Sequence, residues 1–247
     1  MPLFSVIIPT LNVEATVVAC LESIAKQTLG DYEVVIVDGG SQDGTLDLIA
    51  GFASQFEGRL RTRTGKDAGV YDAMNQGVGL ARGEWLLFLG ADDVLFDDDV
   101  LAQARAFFAD NPSCQLAYGD VVMASDGSRD GGVFDLDKLL FRRNICHQAI
   151  FYRRELFAHL GPYNLRYRVW ADWDFNIRCF KNPALVACHM DIIVSRYHDL
   201  AGLSCREDRE LRKRLPVVLL SGLERAWMGR LAWALKGAKR ILRCRRH

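Results

Sequence analysis

Val34-Val35-Ile36-Val37-Asp38-Gly39-Gly40-Ser41-Gln42-Asp43-Gly44 is an apolar run that ends in acid and glycine, and the pattern recurs in Trp85-Leu86-Leu87-Phe88-Leu89-Gly90-Ala91-Asp92-Asp93. A short apolar run closed by Gly and Asp reads as a buried parallel strand passing into a loop. In open α/β sheets ligands bind beyond the carboxyl ends of the strands. The pattern therefore predicts that Asp38, Asp92 and Asp93 converge on one crevice. Crowded carboxylates repel unless something positive sits among them, and a divalent cation holding a diphosphate meets that need.

Outward from these two stretches, strands and helices alternate. Phe4 to Pro9 reads as a strand, and Asn12 as the cap of a helix running to about Gln27 with Glu14 in its first turn. Strands are expected over Glu33 to Val37, Arg59 to Arg63 and Glu84 to Leu89. Helices are expected from Gly44 to about Phe56, from Val70 to Leu80 and from about Asp97 to Ala109. Such βαβ units imply a mostly parallel, Rossmann-like sheet flanked by helices, with right-handed crossovers. The second half is less regular: strands over Gln115 to Met123, Gln148 to Tyr152 and Leu185 to Arg196, a turn at Ser125 to Ser128, and a helix over Ala171 to Phe180.

The 247 residues suit one large α/β domain with an appendage. Half the residues are hydrophobic and 25% are charged, enough for a sizeable core in an ordinary globular protein. No apolar run reaches the roughly 18 residues of a membrane span. The N-terminus lacks the basic start and small-residue cleavage site of a signal peptide. Seven cysteines, an odd and dispersed set without CxxC spacing, point to reduced thiols in the cytoplasm and away from a disulfide framework or zinc site.

The zero net charge conceals an asymmetry. Residues 206–247 carry 13 Lys and Arg against 4 Asp and Glu, a balance of +9, which leaves residues 1–205 at −9. From about Pro216 to Arg243 the tail is amphipathic by pattern: Leu220, Leu223, Trp227, Leu231, Ala234, Ala238 and Ile241 recur every three or four residues, and Lys236, Lys239, Arg240 and Arg243 lie off that stripe. Such a helix either lies on an anionic membrane surface or packs on protein. Nucleic acid ranks last, since no nucleic-acid-binding motif accompanies the basic residues.

Taken in order, Pro9-Thr10-Leu11-Asn12, Val37 to Thr45, Asp67-Ala68-Gly69-Val70-Tyr71-Asp72-Ala73-Met74-Asn75, Gly90-Ala91-Asp92-Asp93, His147-Gln148, Asp172-Trp173-Asp174 and His198 before Gly202-Leu203-Ser204 form a series. The series resembles the inverting family 2 glycosyltransferases of the GT-A fold and covers roughly residues 4 to 204. The resemblance implies a catalytic domain over 1–205, with nucleotide-sugar binding in 1–110 and the acceptor side in 111–205. It implies transfer of a sugar from a nucleoside diphosphate sugar to a hydroxyl acceptor, lipid-linked or part of a surface polysaccharide. Peripheral attachment to the inner face of the cytoplasmic membrane through 206–247 belongs to the same expectation.

The resemblance also carries roles residue by residue. Asp93 matches the metal-binding aspartate of the DxD-like motif, and the metal is Mg²⁺ or Mn²⁺, hard cations that prefer oxygen ligands. Asp92 would face the donor's ribose or sugar, and Asp38 the nucleotide base. Thr10 and Glu14 match positions near the nucleoside, with Asn12 in the same motif. The Gly-Ala-Asp-Asp form departs from the commoner Asn-Ser-Asp-Asp but retains both carboxylates. Inversion needs a base opposite the leaving group. Because Ala171 occupies the first acidic position of the late motif, Asp172 inherits that role and Asp174 is the fallback. His198 matches a late histidine that completes the metal shell in some members.

Plainer readings stand beside these. Asp38 and Asp43 either brace the Gly39-Gly40 turn and cap the next helix or meet the donor; beside Asp92-Asp93 the donor site is favoured. One of Asp67 and Asp72 contacts the donor and the other holds a helix start. His147 lines the acceptor cleft or is a buried, bonded histidine. Trp170 and Trp173 form a sugar-stacking wall, or Trp173 belongs to the core. Two competing functions remain: a nucleotidyltransferase, which would be expected to use a Gly-rich basic loop near its N-terminus, where Pro9-Thr10-Leu11-Asn12 is neither, and a non-catalytic nucleotide-sugar-binding subunit, which the Ala171 substitution keeps open.

Overall fold

The computed structural model describes residues 1–199 together with 208, 210 and 211. In chain order the elements are β1 (Phe4–Thr10), α1 (Val17–Ala25), β2 (Tyr32–Asp38), α2 (Thr45–Gly51), β3 (Leu60–Thr64), α3 (Val70–Leu80), β4 (Trp85–Phe88), β5 (Val94–Leu95), α4 (Val100–Asp110), β6 (Leu116–Met123), β7 (Arg129–Asp130), α5 (Leu136–Phe141), a 3₁₀ turn (His147–Ala149), β8 (Ile150–Arg153), α6 (Glu155–Leu160), α7 (Ala171–Lys181) and β9 (Ala187–Tyr197).

The strands form one sheet in the order β3-β2-β1-β4-β8-β6-β9-β5, with β7 on β6. Strands β3, β2, β1 and β4 are parallel, as the unbroken apolar runs require. Beyond β4 the sheet is mixed: β8 runs antiparallel to β4 and β6, and β9 parallel to β6. From β1 the chain winds outward through β2 to β3, then returns to place β4 on the other side of β1. That reversal opens a crevice between the carboxyl ends of β1 and β4, where open sheets take their ligands.

Alternation along β1 divides the core between two faces. Phe4, Val6 and Ile8 pack with Val17, Leu21 and Ile24 of α1 and with Val100 and Leu101 of α4. Ile7, Val35 and Val37 face Tyr71 and Met74 of α3 and share a cluster with Phe157 and Phe175. Helix α3 approaches β1 so closely that a Cβ on Gly77 would lie 2.4 Å from Ile7 Cγ2. Only glycine admits that approach without displacing α3 from the sheet.

Two local expectations are corrected. Asn12 does not cap a helix: it takes a left-handed backbone (φ 52°), and α1 begins at Val17. Its side-chain oxygen instead accepts from Gln42 N–H at 2.8 Å, and its own N–H donates to Ser41 Oγ, tying the loop after β1 to the loop after β2. Gln148 does not open a strand but lies in the 3₁₀ turn before β8. Helices α5 and α6, six residues each, emerge where no periodicity announced them. Under two turns, a helix is too short for an apolar stripe to repeat.

Among the described residues no helix is long and apolar enough to cross a membrane. The amphipathic helix expected from about Pro216 to Arg243 lies outside the described residues. Asp208 and Leu211, beyond the expected boundary at 205, are buried against the body. Leu211 joins the cluster around α3 and α7, and Asp208 accepts from Val169 N–H at 3.0 Å.

Candidate active site

A cleft of about 950 Å³ opens at the carboxyl ends of β1 and β4, and its far wall is built by the 3₁₀ turn, the start of α7 and the end of β9. Asp92 is exposed at its mouth and Asp93 is buried, 1% exposed, beneath it. Asp93 Oδ1 accepts from His198 N–H at 2.7 Å and Oδ2 from Gln148 Nε2 at 2.8 Å. Burial outweighs those bonds and pushes the Asp93 carboxyl up to about 7. A Cβ on Gly90 would stand 2.5 Å from Asp93 Oδ2 and 2.7 Å from Asp92 Oδ1. The glycine of the Gly-Ala-Asp-Asp motif thus leaves room for both carboxylates to fold back over the loop.

Among the described residues no group of three or more His, Cys, Asp or Glu gathers as a ready metal shell. The Asp92-Asp93 pair still suits Mg²⁺ or Mn²⁺, which typically take one or two carboxylates and complete their shell with phosphate and water. Each Asp93 oxygen accepts one bond and retains a second lone pair. The His198 ring is half-buried on the cleft wall.

On the opposite wall Asp172 lies in the first turn of α7, buried. Its Oδ1 accepts from Tyr71 Oη at 2.5 Å, and its Oδ2 from Asn144 Nδ2 at 2.6 Å. Asn144 Oδ1 accepts from Asn176 Nδ2, and Asn176 Oδ1 from the buried Tyr152 hydroxyl. Every donor in this chain points toward Asp172, so the carboxylate is its terminal acceptor. Tyr71 Oη also lies within reach of the Val169 carbonyl. With one hydrogen and two acceptors, it serves one at a time. Burial, then the Asp172 charge, holds the Tyr71 phenol well above its usual range, so it stays protonated.

The remaining expected residues divide between the cleft and its supports. Asn12, His147 and Trp173 line the cleft. Burial depresses the His147 imidazole below its ordinary value, against the opposing charges of Asp172 and Asp92, so the ring faces the cleft uncharged. Asp174 lies outside the lining and pairs with Arg178 at 3.0 Å, whose guanidinium also bonds the carbonyls of Leu160 and Pro162. Asp38, at the end of β2, is fully buried. Its oxygens accept from the Thr10 and Ser41 hydroxyls and from Gly40 and Ser41 N–H. Burial alone would raise its carboxyl, but these four donors together hold it below the usual range.

Glu14 and Asp43 staple the first two loops: Glu14 N–H donates to Asp43, and Glu14 Oε2 accepts from Gly44 N–H. Asp67 accepts from Gly69 N–H, and Asp72 from Ala68 N–H and Gln76, bonds that shape the start of α3. Thr10, Glu14, Asp38, Asp43, Asp67 and Asp72 therefore brace the loops after β1, β2 and β3 and are not among the cleft's lining residues. Residues that were not singled out as site residues are Tyr71, Asn144 and Cys146, all on the lining. Gln148, also on the lining, stood beside His147 in the quoted motif, and Tyr71 beside Asp72.

A family model described as Glycosyl transferase family 2 matches residues 5–132. A PGL/p-HBAD biosynthesis glycosyltransferase of Mycobacterium bovis is 59% identical over 223 residues, which make up 90% of this chain and 87% of the relative. Among solved structures, S. aureus TarS 1–349 in complex with UDP-GlcNAc aligns with a TM-score of 0.73 at 21% identity, over 89% of this chain and 67% of that one. Against a longer TarS structure the chain spans 37% of the neighbour. The mannosyltransferase PcManGT from Pyrobaculum calidifontis, in complex with GDP-Man and Mn²⁺, aligns with a TM-score of 0.64 at 21% identity, over 92% of this chain and 64% of that one.

Proposed function

This chain belongs to glycosyl transferase family 2, and from that premise we propose that it transfers a sugar from a nucleoside diphosphate sugar to an acceptor hydroxyl with inversion, with Asp172 as the general base and a divalent cation at Asp92 and Asp93. The observation that carries this reading is the charge of one cleft. Asp92 and Asp93 line one wall and Asp172 the other, and no Lys or Arg stands among the described lining residues. Carboxylates repel a diphosphate, and a divalent ion is a group that reconciles the two.

When bound, such an ion offsets the charge that grows on the departing nucleoside diphosphate. The protein's own residues do the rest. Asn12 and the loop braced by Asp38 and Asp43 hold the donor side, and the His198 ring is a further candidate ligand. The acceptor oxygen forms its bond to the anomeric carbon on the face opposite the diphosphate. Its proton passes to Asp172, and the bond from that carbon to the diphosphate oxygen breaks with its electron pair. As Asp172 takes the proton, Tyr71 turns its hydrogen to the Val169 carbonyl and accepts from the new carboxylic acid. Asn144 keeps the other oxygen in place throughout.

The PGL/p-HBAD biosynthesis glycosyltransferases at 59% identity support an acceptor that belongs to a growing glycoconjugate. Peripheral membrane attachment through 206–247 is part of the same reading, and binding to anionic vesicles tests it. A thermal-shift screen of UDP-, GDP- and dTDP-sugars with Mn²⁺ identifies the donor, since a ligand that binds the native state raises its melting temperature. With that donor, Asp172→Asn should abolish transfer and spare the donor-induced shift. Full transfer activity in Asp172→Asn would remove the base assignment. The anomeric configuration of the product, read by NMR, tests inversion.

A further inference from the structure

We propose that Asp208 is a positioning residue of the catalytic site, fixing the turn before α7 so that the Val169 carbonyl and Asp172 share the Tyr71 hydroxyl; the inference rests on the reading of Asp172 as the base. Residues 161–170, between α6 and α7, form no helix or strand, so their backbone groups must find partners elsewhere. Two anchors hold the segment. Asn75 of α3 accepts from Tyr163 N–H and donates to the Tyr163 carbonyl. Asp208, 39 residues beyond Val169, accepts from Val169 N–H at 3.0 Å. Trp170, the residue that flanks α7, offers the helix no side-chain cap. Asp208 supplies a buried acid there instead, at the positive end of the helix dipole.

Glu210 N–H at 3.0 Å and Leu211 N–H at 3.1 Å donate to one oxygen of Asp208, and Val169 N–H donates to the other. Burial alone would raise its carboxyl, but these bonds, with that of Trp170 N–H, hold it below the usual range. Donors on both sides call for an acceptor on both sides, which a carboxylate is and an amide is not. Leu211 packs in the same cluster as Tyr71, Ala171 and Phe175, and so keeps Asp208 against the turn. Trp170 N–H and the Val169 carbonyl belong to one peptide unit. Asp208 holds that unit by its N–H, and Tyr71 meets it at its carbonyl. A peptide whose N–H is bonded to a carboxylate is also the better acceptor at its oxygen. That oxygen receives the Tyr71 hydrogen once Asp172 carries the acceptor's proton. Asp208 thus acts on the base through the peptide and the phenol, without touching substrate.

3-Fluorotyrosine in place of the seven tyrosines of the full chain gives ¹⁹F resonances, and Tyr71→Phe identifies the one from Tyr71. Asp208→Ser retains a hydroxyl able to cap Leu211 N–H but too short to serve Val169 as well. It should shift the Tyr71 resonance more than those of tyrosines outside 161–170. It should also lower kcat about tenfold with the donor KM within about twofold, read as nucleotide release from the sugar nucleotide that the thermal-shift screen selects. Ile49→Ala, a buried change on the other face of the sheet, controls for lost stability and should move neither. If Asp208→Ser does not fold, amide exchange in the parent decides: Val169 N–H should exchange far more slowly than the N–H of exposed Leu165. An unmoved Tyr71 resonance, an unchanged kcat, an equal loss of kcat in Ile49→Ala, or exchange at Val169 as fast as at Leu165 would overturn the inference. Full turnover in Asp172→Asn beside a shifted Tyr71 resonance in Asp208→Ser would instead count against the base reading, with the contact itself upheld.

Discussion

Replacing Asp93 with Asn should stabilise the metal-free protein at pH 8 while removing its use for the donor. Burial lifts the Asp93 carboxyl from an ordinary 3.8 to about 7 in a side chain only 1% exposed. As pH rises, the unfolded chain releases this proton first and the folded chain retains it until near neutrality. Between these points the folded state binds the additional proton, so stability falls with rising pH by about 1.4 kcal/mol per unit. The loss begins near pH 4, is complete above about pH 7, and sums to about 4 kcal/mol. An amide stays neutral throughout. It resembles the protonated carboxyl in presenting one acceptor and one donor to Gln148 Nε2 and His198 N–H, both donors. Gln148 can rotate its amide, but its Oε1 then gives up the Cys146 thiol. Allowing about 1 kcal/mol for that mismatch leaves a gain of about 3 kcal/mol at pH 8. For a chain of this size that is about 6–12 °C in melting temperature. Urea unfolding in EDTA at pH 4 and pH 8 measures it, and at the lower pH only the mismatch should remain, leaving the variant about 1 kcal/mol the less stable. A variant less stable than the parent at pH 8, or a difference that does not change with pH, would refute the burial argument. Mn²⁺ with nucleotide should then raise the parent's melting temperature and leave the variant's unchanged.

Tyr71→Phe removes one of the two donors to Asp172 and should lower kcat at least tenfold with the donor-induced thermal shift intact; equal kcat would show that the tyrosine only packs. Gly90→Ala places a Cβ within 2.5 Å and 2.7 Å of the Asp93 and Asp92 oxygens, so nucleotide binding with Mn²⁺, followed by calorimetry, should weaken at least tenfold. An unchanged affinity would show that the carboxylates can rearrange freely. Leu211→Ala empties a site buried to 3% exposure and should cost about 2–4 kcal/mol in urea unfolding; a change below about 0.5 kcal/mol would mean that 211 does not belong to the catalytic body.

The parallel half of the sheet was legible because its strands are buried on both faces. Val34 to Val37 and Trp85 to Leu89 need no alternation to be read, and glycine with acid marks where each strand stops. That reading put Asp38 with Asp92 and Asp93 at one crevice, whereas Asp38 is buried in its own turn and is not among the cleft's lining residues, and Asp172 entered through the resemblance alone. What surrounds these acids was not legible. Tyr71 meets Asp172 across 101 residues and Gln148 meets Asp93 across 55, and no period or propensity records contacts at such separations. Asp38 shows a further kind of ambiguity. The sequence displays Ser41 three residues later, which permits a self-bonded turn, but only coordinates show that both oxygens are occupied by it. Asn12 looked like a helix cap because its type fits one; its left-handed backbone and its bonds to Ser41 and Gln42 are decided by the neighbouring loop.

These long contacts also bear on how the two halves of the chain cooperate. Asp93 comes from the half that carries β1 to β4, yet both bonds that orient its carboxylate come from the other half, through Gln148 and His198. Asp172 comes from the second half, yet one of its two donors is Tyr71 of α3. Asn75, one turn further along α3, clamps both the N–H and the carbonyl of Tyr163. Each half thus orients the acid that the other contributes. A motion that separated the halves would release the Asp93 carboxylate from its two donors and Asp172 from its phenol at the same time. On the proposed roles, donor grip and base position are two readings of one interface, which is why Tyr71→Phe and Asp93→Asn, mutations on opposite walls, are the pair in which non-additive effects on turnover are expected.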